Sequence, residues 1–479
     1  MANNIKIKSF GPIKEANIDI SPLTIFIGQN SSGKSYSALL THAFLNPFDE
    51  ENIPNQRRLY FGYNSLKCLL ENDAELLFNF DNNFKQFIKT KPKFNDSFIV
   101  PIDKFHELIN KGCGAFYKHL IEEKIKNIFG VEDLKELINL NSDVFELNFN
   151  ELFFQKNNFE FKIENFEHYF GIPKKPQDLD MDKIVIEISI NEEVEIKFNY
   201  PLLMQVMDDE NELEISGLLI YDFIAGKIID KLVTGKSFYI PASRDSLVTK
   251  FEVSLSDEIN DLIKFSKTQK ELATNFLKNR QKSKKKIFYE LAHDLEIELF
   301  GGVIDFNDDE HFKEIVFSNK EKGFEFPLNL VSSSIKELSP LILYLKYILD
   351  KGDTLIIEEP EAHIHPKLQT ILAKYLVRAI NQGINIILTT HSDYIIEQFN
   401  NLIRLGNVEK KIIEDLNFTE QDVLNYKDMN IYHFKNDGDY NFIAYPLEIN
   451  STGFNEENFS EVIESLYDES NIIIDNKLR

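Results

Sequence analysis

The stretch GQNSSGKS, Gly28–Ser35, decides how the rest of this sequence is interpreted. It fits the phosphate-binding pattern G-x-x-x-x-G-K-[ST] without a mismatch. The apolar run LTIFIG lies before it and the helical run YSALLTHAFL after it, as the pattern requires. Glycines let such a loop bend so that its backbone N–H groups converge on phosphate oxygens, and the helix directs its positive end at the same anion. We therefore predict a mononucleotide site built from a strand, this loop and a helix.

The residues of the loop have separate predicted roles. Lys34 would reach the β- and γ-phosphates, and the Ser35 hydroxyl would ligate Mg²⁺. The predicted cofactors are therefore ATP and Mg²⁺. The predicted nucleotide-binding residues are Gly28, Asn30, Ser31, Ser32, Gly33, Lys34 and Ser35.

A second apolar run, TLIIEE at residues 354–359, leads into the segment EEPEAHIHP. Carboxylates and imidazoles this close together also suit a separate metal site by composition alone. A phosphate loop, however, needs a neighbouring strand that ends in a carboxylate to orient Mg²⁺. We therefore predict that Glu358 ligates Mg²⁺ and that Glu359 polarises the attacking water. His363 and His365, two positions apart across a turn, are predicted to shape the loop or to line a subunit interface.

The next strand adds a histidine to the same site. An amphipathic helix is predicted from Pro366 to Gly383, and the apolar run INIILTT after it leads to His391. A strand, a helix and a second strand in this order favour a parallel sheet. In a sheet that carries a phosphate loop, His391 would lie near the γ-phosphate. The alternative is a buried histidine with a structural role.

Length and composition limit the class of protein. The chain has 479 residues, enough for two or three domains, and 43% of them are hydrophobic, enough to form a core. Its two cysteines form no spaced pair, and no run of 18 apolar residues occurs, so we expect a cytoplasmic protein without a membrane partner. The net charge of −25 opposes nucleic-acid binding except through a local basic patch. The cluster Lys278–Lys286 is one candidate patch, and a solvated helix face is its alternative explanation.

Changes in composition along the chain suggest domain boundaries. Strand patterns flank a segment rich in Asn, Phe and Lys, and a second helical segment follows. The predicted assignments are 1–45, 182–250 and 300–450 to one α/β domain, 46–181 to a mostly helical insertion, 253–298 to a helical arm, and 451–479 to a C-terminal extension.

The motifs together resemble those of an ABC-type ATPase head: a phosphate loop, EEPEAHIHP about 320 residues later, and a THS histidine after one more helix and strand. More narrowly, the chain resembles the OLD-like (overcoming lysogenization defect) ATPases, relatives of SMC and DNA-repair ATPases, in which Glu replaces the Asp of most ABC proteins. FYIPASR resembles the PA-R element of that group, here Pro241, Ala242 and Arg244. The resemblance covers residues 1–45 and about 182–450. It implies an α/β fold, with a parallel core sheet, an antiparallel β subdomain and a large insertion.

The resemblance also implies a signature segment, which meets ATP bound on an opposing subunit. Ser332, Ser333 and Ser334 stand in that place, where the group usually has a glycine at the third position. Because Ser334 has a side chain where the group usually has glycine, it would affect how closely the γ-phosphate bound on the opposing subunit can approach. Ser334 and Glu337 also fit an S-x-x-E capping box, which predicts a helix N-terminus, and Pro340 should kink that helix early.

The sequence carries no nuclease constellation beside these motifs. NDGDYN offers Asp437 and Asp439 without the upstream glutamate context of a TOPRIM nuclease, so we predict a turn there. A head without a nuclease resembles the ATPase subunits of antiphage systems such as PARIS and Septu. That resemblance implies slow ATP hydrolysis, a homodimer or higher homo-oligomer, and a separate nuclease or toxin effector.

Parts of the sequence also bear on two other functions. A DNA repair or recombination ATPase would clamp DNA through the arm at 253–298. An ABC transporter ATPase is disfavoured because the LSGGQ-like signature is missing and the insertion is large. Gln56 is a candidate for the glutamine that senses Mg²⁺ in ABC proteins.

Overall fold

The computed structural model of the chain describes the residues on which the following sections rest. They are 4–46, 57–90, 97–138, 146–149, 159–163, 186–190, 193–198, 221, 225, 237–242, 244, 268–269, 271–272, 285–307, 315–319, 321–438, 441–454 and 467–474. Gln56 and most of the Lys278–Lys286 cluster lie outside them, as do Asp439 and most of the predicted arm and C-terminal extension.

Contacts between residues divide the chain into two compact units. The first unit contains Met1–Leu45, Ile125–Asn150 and Gly235–Arg479, and the second contains Asn46–Lys124 and Glu151–Thr234. The strands within the described residues, in chain order, are β1 (Asn4–Phe10), β2 (Ile13–Asp19), β3 (Leu23–Gly28), β4 (Ser97–Pro101), β5 (Glu146–Phe149), β6 (Phe159–Ile163), β7 (Ile186–Ile190), β8 (Glu193–Phe198), β9 (Ser237–Ile240), β10 (Val303–Phe306), β11 (Ile315–Asn319), β12 (Phe324–Pro327), β13 (Thr354–Glu358), β14 (Asn385–Thr389), β15 (Met429–Asn436) and β16 (Phe442–Pro446).

The main sheet of the first unit has nine strands within the described part of the chain, in the spatial order β5-β1-β2-β16-β15-β3-β14-β13-β9. From β15 to β9 every neighbouring pair is parallel, whereas β1 pairs antiparallel with both β2 and β5. The predicted α/β fold, with a parallel core sheet and an antiparallel β region, is therefore confirmed.

Burial explains why the two parts of the sheet have different sequence patterns. Every residue of β13 is buried, and β3 is buried up to Gly28, because central parallel strands are covered on both faces. In β2 the buried and exposed residues alternate over most of the strand, as expected where only one face meets the core. The continuous apolar runs of the sequence thus mark the centre of the sheet.

Helices of varied length accompany these strands. Those with defined bounds include α1 (Lys34–Leu45), α2 (Arg57–Lys89), α3 (Ile102–Phe129), α4 (Tyr289–Phe300), α5 (Ser333–Tyr347), α6 (Pro366–Asn381), α7 (Asp393–Arg404) and α8 (Lys410–Asp415). Helix α6 has a buried apolar face, as expected of an amphipathic helix: Leu372, Tyr375, Leu376 and Ala379 belong to the core of the first unit. No helix in the described part of the chain has the length and apolar character needed to cross a bilayer.

The second unit contains a smaller antiparallel sheet, β4-β8-β7-β6, together with α2 and much of α3. Phe84 packs edge-on against Phe98 of β4, with ring centroids 5.3 Å apart. The hydroxyls of Ser65 and Tyr221, both buried, are 2.7 Å apart. Helix α2 is interrupted at Asp73, whose backbone is extended (φ −156°, ψ 67°).

These units differ from the predicted boundaries in two places. Residues 146–149 fall within the predicted insertion, but β5 pairs with β1 in the main sheet, with Ile5 opposite Phe149. The hairpin β7–β8 was assigned to the α/β domain, but β8 pairs with β4 in the second unit, Val100 opposite Val194. Both differences come from pairing between strands that are far apart in sequence.

A buried ion pair joins two helices and a strand of the first unit. The Lys346 ammonium of α5 lies 2.7 Å from Glu296 Oε1 of α4 and donates to the Ile304 carbonyl of β10 at 2.7 Å. Glu296 Oε2 accepts the Ile304 N–H at 2.8 Å. Both side chains are fully buried, and burial raises the pKa of Glu296 while Lys346 lowers it.

Replacing Lys346 with methionine should destabilise the protein by about 3–5 kcal/mol, because Glu296 would remain buried without its cation. Equilibrium denaturant unfolding measures this change. Lys410→Met is the matched control, since Lys410 and its partner Glu420 are both exposed and their pair should contribute little. Equal losses in the two variants would contradict a special contribution from the buried pair.

Candidate nucleotide site

The loop between β3 and α1 has the backbone conformation that a phosphate loop needs. Gly28 (φ 138°), Ser31 (φ 60°) and Gly33 (φ 104°) all have positive φ. Helix α1 then begins at Lys34, and the Ser37 N–H donates to the Gly33 carbonyl at 2.9 Å. The loop therefore ends at the N-terminus of a 12-residue helix, where backbone N–H groups are available to an anion.

Close packing explains why both glycines are needed. A Cβ on Gly28 would lie 2.5 Å from the Phe434 carbonyl oxygen of β15, and a Cβ on Gly33 would lie 2.5 Å from Ile13 Cγ1 of β2. Both distances are shorter than any normal contact with a Cβ atom. The loop thus packs closely against two strands of the main sheet, β15 and β2, which are separated by β16.

Lys34 is held inside the loop. Its side chain is 5% exposed, and its ammonium donates to the carbonyl oxygens of Gly28 (2.9 Å) and Gln29 (2.7 Å). Burial lowers the pKa of Lys34 to about 8, although Glu359, Glu361 and Glu358 oppose this shift. At physiological pH the amine is therefore still mostly protonated, and it loses its charge as the pH rises through about 8.

A cavity of about 540 Å³ opens beside the loop, a volume in the range of small-ligand sites. Glu359 and His391 line it together with the loop, so the three separate motifs meet at one place. The lining residues are Pro12, Asn30, Ser31, Ser32, Gly33, Lys34, Ser35, Tyr36, Glu359 and His391.

Glu358, the last residue of β13, is not among the residues that line this cavity. Its side chain is 9% exposed, and Oε2 accepts the Ala242 N–H at 3.3 Å. Oε1 is buried and accepts no hydrogen bond of normal geometry among the described residues. The Tyr239 hydroxyl is nearby: burial, and then the Glu358 carboxylate, raise the pKa of Tyr239. A buried carboxylate oxygen that no donor fully satisfies suits a cation ligand, so the residues present fit the predicted Mg²⁺.

Glu359 has an unusual backbone conformation for a non-glycine residue, with φ 42°. Its N–H donates to the Thr389 carbonyl at 2.9 Å, which fixes the turn after β13 against the end of β14. The carboxylate is 44% exposed, and its Oε1 lies 3.9 Å from His391 Nε2. This acceptor therefore faces the cavity and remains accessible to water.

His391 is a neutral imidazole at neutral pH. Burial, and then the charge of Lys34, lower its pKa to about 4. A neutral ring can donate one hydrogen bond without placing a second positive charge beside Lys34.

Two further residues in the site received no predicted role. Glu361 Oε1 accepts from the Thr390 hydroxyl (2.9 Å) and from the His391 N–H (2.6 Å), so it fixes the segment that carries His391. Burial raises the pKa of Glu361. Arg244, seen in the sequence only as part of the PA-R element, donates to the carbonyls of both Glu358 and Glu359. EEPEAH contained Glu361, but its partners could not be inferred without the structure.

The three serines of the predicted signature lie at the start of α5, outside the lining of this cavity. The predicted capping box is wrong: the helix begins at Ser333 with Ser332 as its N-cap, and Ser334 instead donates to the His363 carbonyl at 3.0 Å. Glu337 cannot complete the box because its carboxylate pairs with Arg244 at 3.1 Å.

Three smaller predictions nearby can also be compared with the structure. Pro340 lies inside α5, and the Lys336 carbonyl, which would have accepted the missing N–H, instead accepts from the Ser339 hydroxyl at 2.8 Å; the kink expected there stays a prediction. His365 caps α6, its Nδ1 accepting the Lys367 N–H at 3.2 Å, while the choice between loop shaping and a subunit interface stays a prediction. Asp437 begins the predicted turn between β15 and β16, donating its N–H to the Asn441 carbonyl at 2.7 Å.

Comparison with known proteins identifies the class. Residues 1–396 match the AAA ATPase domain family. The chain belongs to the AAA ATPase domain family. The protein is therefore an ATPase and binds nucleotide, as predicted, whereas the narrower OLD-like resemblance stays a prediction.

Solved structures similar to this AAA ATPase include SMC heads. An Smc head bound to the C-winged helix domain of ScpA has 13% identity and a TM-score of 0.35, with 93% of this chain and 97% of that chain covered. An Smc head with an extended coiled coil, bound to the C-terminal domain of ScpA derived from Pyrococcus furiosus, has 12% identity and a TM-score of 0.32, with 97% and 99% covered. The SMC head domain from Thermotoga maritima has 12% identity and a TM-score of 0.30, with 93% and 99% covered. No curated protein matches the sequence.

The affinity of this AAA ATPase for ATP should fall as pH rises through about 8, by up to about tenfold per pH unit. The reason is that Lys34 loses its proton in the free protein near that pH, and only the ammonium form attracts phosphate. Titration of a fluorescent ATP analogue between about pH 7 and about pH 9.5 measures the effect. Lys34→Met should bind weakly and without this slope; an equal slope in both proteins would contradict the role of Lys34.

Gly28→Ala should lower both stability and ATP affinity, the latter at least about tenfold, because the new Cβ meets the Phe434 carbonyl. Gly352→Ala is the matched control: its φ is also positive (86°), but no atom lies within 4 Å of the new Cβ. The free energy of unfolding of the control should fall only by the cost of placing alanine at positive φ, about 1–2 kcal/mol. Denaturant unfolding and analogue binding compare the two, and equal effects would rule out the clash.

Proposed function

We propose that this ATPase is a regulatory subunit that closes an ATP-dependent dimer and controls a separate effector in an antiphage defence system. One observation supports a dimer. The phosphate loop, Glu359 and His391 line one cavity, whereas the three serines of the predicted signature, Ser332, Ser333 and Ser334, do not line it. In an ABC-type site those serines would meet the nucleotide of a second copy. The resemblance of EEPEAHIHP to OLD-like ATPases supports the defence role.

Each site residue has a proposed role in hydrolysis. Lys34 leaves the carbonyls of Gly28 and Gln29 and binds the β- and γ-phosphates, the groups for which a phosphate-loop lysine is placed. Ser35 and Glu358 would hold Mg²⁺, which neutralises phosphate charge when bound. The exposed carboxylate of Glu359 accepts a proton from the attacking water, and the neutral His391 donates a hydrogen bond to the γ-phosphate.

The second unit is the proposed sensor or docking element for the effector. It is inserted between segments of the ATPase unit and has its own sheet and aromatic core. With a net charge of −25, a protein partner is favoured over a nucleic acid. The effector would be a nuclease or a toxin, as the resemblance to the PARIS and Septu ATPases implies.

A DNA clamp is the second candidate, favoured only by the basic cluster Lys278–Lys286. It requires DNA affinity that falls steeply with salt and is lost when the cluster is neutralised. The regulatory proposal instead requires an ATP-dependent complex with a protein. The two candidates therefore differ in whether the bound partner is DNA or a protein, which can be measured.

Native mass spectrometry of Glu359→Gln, co-expressed with its genomic neighbours, tests the proposal. The variant should bind ATP without hydrolysing it and should accumulate the closed state, so ATP and Mg²⁺ should shift its mass from 55.8 kDa to a multiple plus an effector. Glu409→Gln, on an exposed glutamate, is the control and should release the complex on turnover.

The other outcomes separate the candidates. An ATP-dependent homodimer without any added mass, together with salt-sensitive DNA binding, would favour the clamp. No change of mass with ATP and Mg²⁺ would overturn the proposed dimer itself.

A further inference from the structure

Arg244 is a buried arginine that lies directly below the end of the glutamate-bearing strand. Its side chain is 1% exposed. Nη1 donates to the carbonyl of Glu358 at 2.7 Å and to that of Pro241 at 3.2 Å, and Nη2 donates to the carbonyl of Glu359 at 3.0 Å. One guanidinium thus binds two successive carbonyls at the point where β13 ends and the chain turns.

The same guanidinium also binds the helix that begins with the three serines. Nε donates to the Glu337 carbonyl at 2.8 Å, and the Glu337 carboxylate lies 3.1 Å away. Glu337 is itself 2% exposed, so the charge of Arg244 is balanced in a buried environment. Burial lowers the pKa of Arg244 and Glu337 raises it again.

A second contact joins the same two elements. The Ser334 hydroxyl donates to the carbonyl of His363, four residues after Glu359. Ser334 and Glu337 are three positions apart and therefore share a face of α5. That face of α5 therefore contacts both ends of the turn between β13 and α6. At the Glu359 end the contact runs through Arg244, and at the His363 end Ser334 makes the hydrogen bond itself.

Only arginine has the shape that this position requires. Its planar fork reaches carbonyls of two neighbouring residues and a carboxylate on a third, whereas lysine offers one point charge. The conformation being held is one that glutamate does not favour, since Glu359 has φ 42°. Its orientation therefore depends on these external contacts.

We propose that Arg244 is a positioning residue for ATP hydrolysis, which fixes Glu359 and couples its orientation to α5. Contact between the start of α5 and the nucleotide of a second copy would then alter the position of the Glu359 carboxylate. The positioning part concerns this chain alone, and the coupling part rests on the proposed dimer.

Steady-state ATPase kinetics of Arg244→Lys test the positioning part. The turnover number kcat should fall at least about tenfold, equivalent to about 1.4 kcal/mol, because the fork that holds the Glu359 carbonyl is lost. Affinity for a fluorescent ATP analogue should stay within about twofold, because Arg244 does not line the cavity. An unchanged kcat would overturn the positioning role, as would an equal loss of kcat and affinity.

Glu337→Gln tests the coupling part and replaces Arg244→Lys if that variant does not fold. It removes the charge that pairs with Arg244 without changing the atoms that bind the Glu358 and Glu359 carbonyls. In the wild type, specific activity should rise with protein concentration as dimers form; in Glu337→Gln that rise should be reduced several-fold at unchanged analogue affinity. A rise equal to that of the wild type would overturn the coupling.

Glu359→Gln separates failure of this inference from failure of the proposed function. If Glu359→Gln abolishes turnover while Arg244→Lys keeps it, only the inference fails. If Glu359→Gln retains wild-type turnover, the proposed chemistry fails and the role of Arg244 fails with it.

Discussion

The site depends on the parallel pairing of β3 with β14 and of β14 with β13. Phe26 lies opposite Thr389, and Thr389 lies opposite Glu358. Carboxyl ends of parallel strands meet at the same edge of a sheet, so this register sets the phosphate loop, the glutamate turn and His391 at one level. A slip of one residue in either pair would turn the side chains to the opposite face and separate the three motifs.

Charge in the site is balanced only in part by the protein itself. Glu358, Glu359 and Glu361 all act on Lys34, whose own burial works against its ionisation. Arg244 is occupied by Glu337 and backbone carbonyls, and His391 is neutral. A bare triphosphate would therefore meet more negative than positive charge, which favours its entry together with a divalent cation.

The local motifs of this site could be predicted from the sequence, whereas the contacts between residues far apart in the chain could not. The loop at Gly28, the buried strands and helix α6 each follow from a pattern within about 20 residues, so they were predictable. The pairing of β5 with β1 and the ion pair of Glu337 with Arg244 join residues about 140 and 93 positions apart. The predicted capping box is wrong for this reason: Glu337, its expected local partner, pairs with the distant Arg244 instead.

The backbone conformation of the turn between β13 and α6 is determined by contacts with other elements more than by the turn's own residues. Glu359 and His363 both have positive φ, which costs a non-glycine residue on the order of 1–2 kcal/mol. Glu359 is held by Thr389 and Arg244, and His363 by Ser334. These contacts come from β14, from the segment after β9 and from α5, so three elements determine where one carboxylate points. A change in any of them, including one caused by a ligand at the start of α5, would reach the Glu359 carboxylate through backbone bonds rather than through its own side chain.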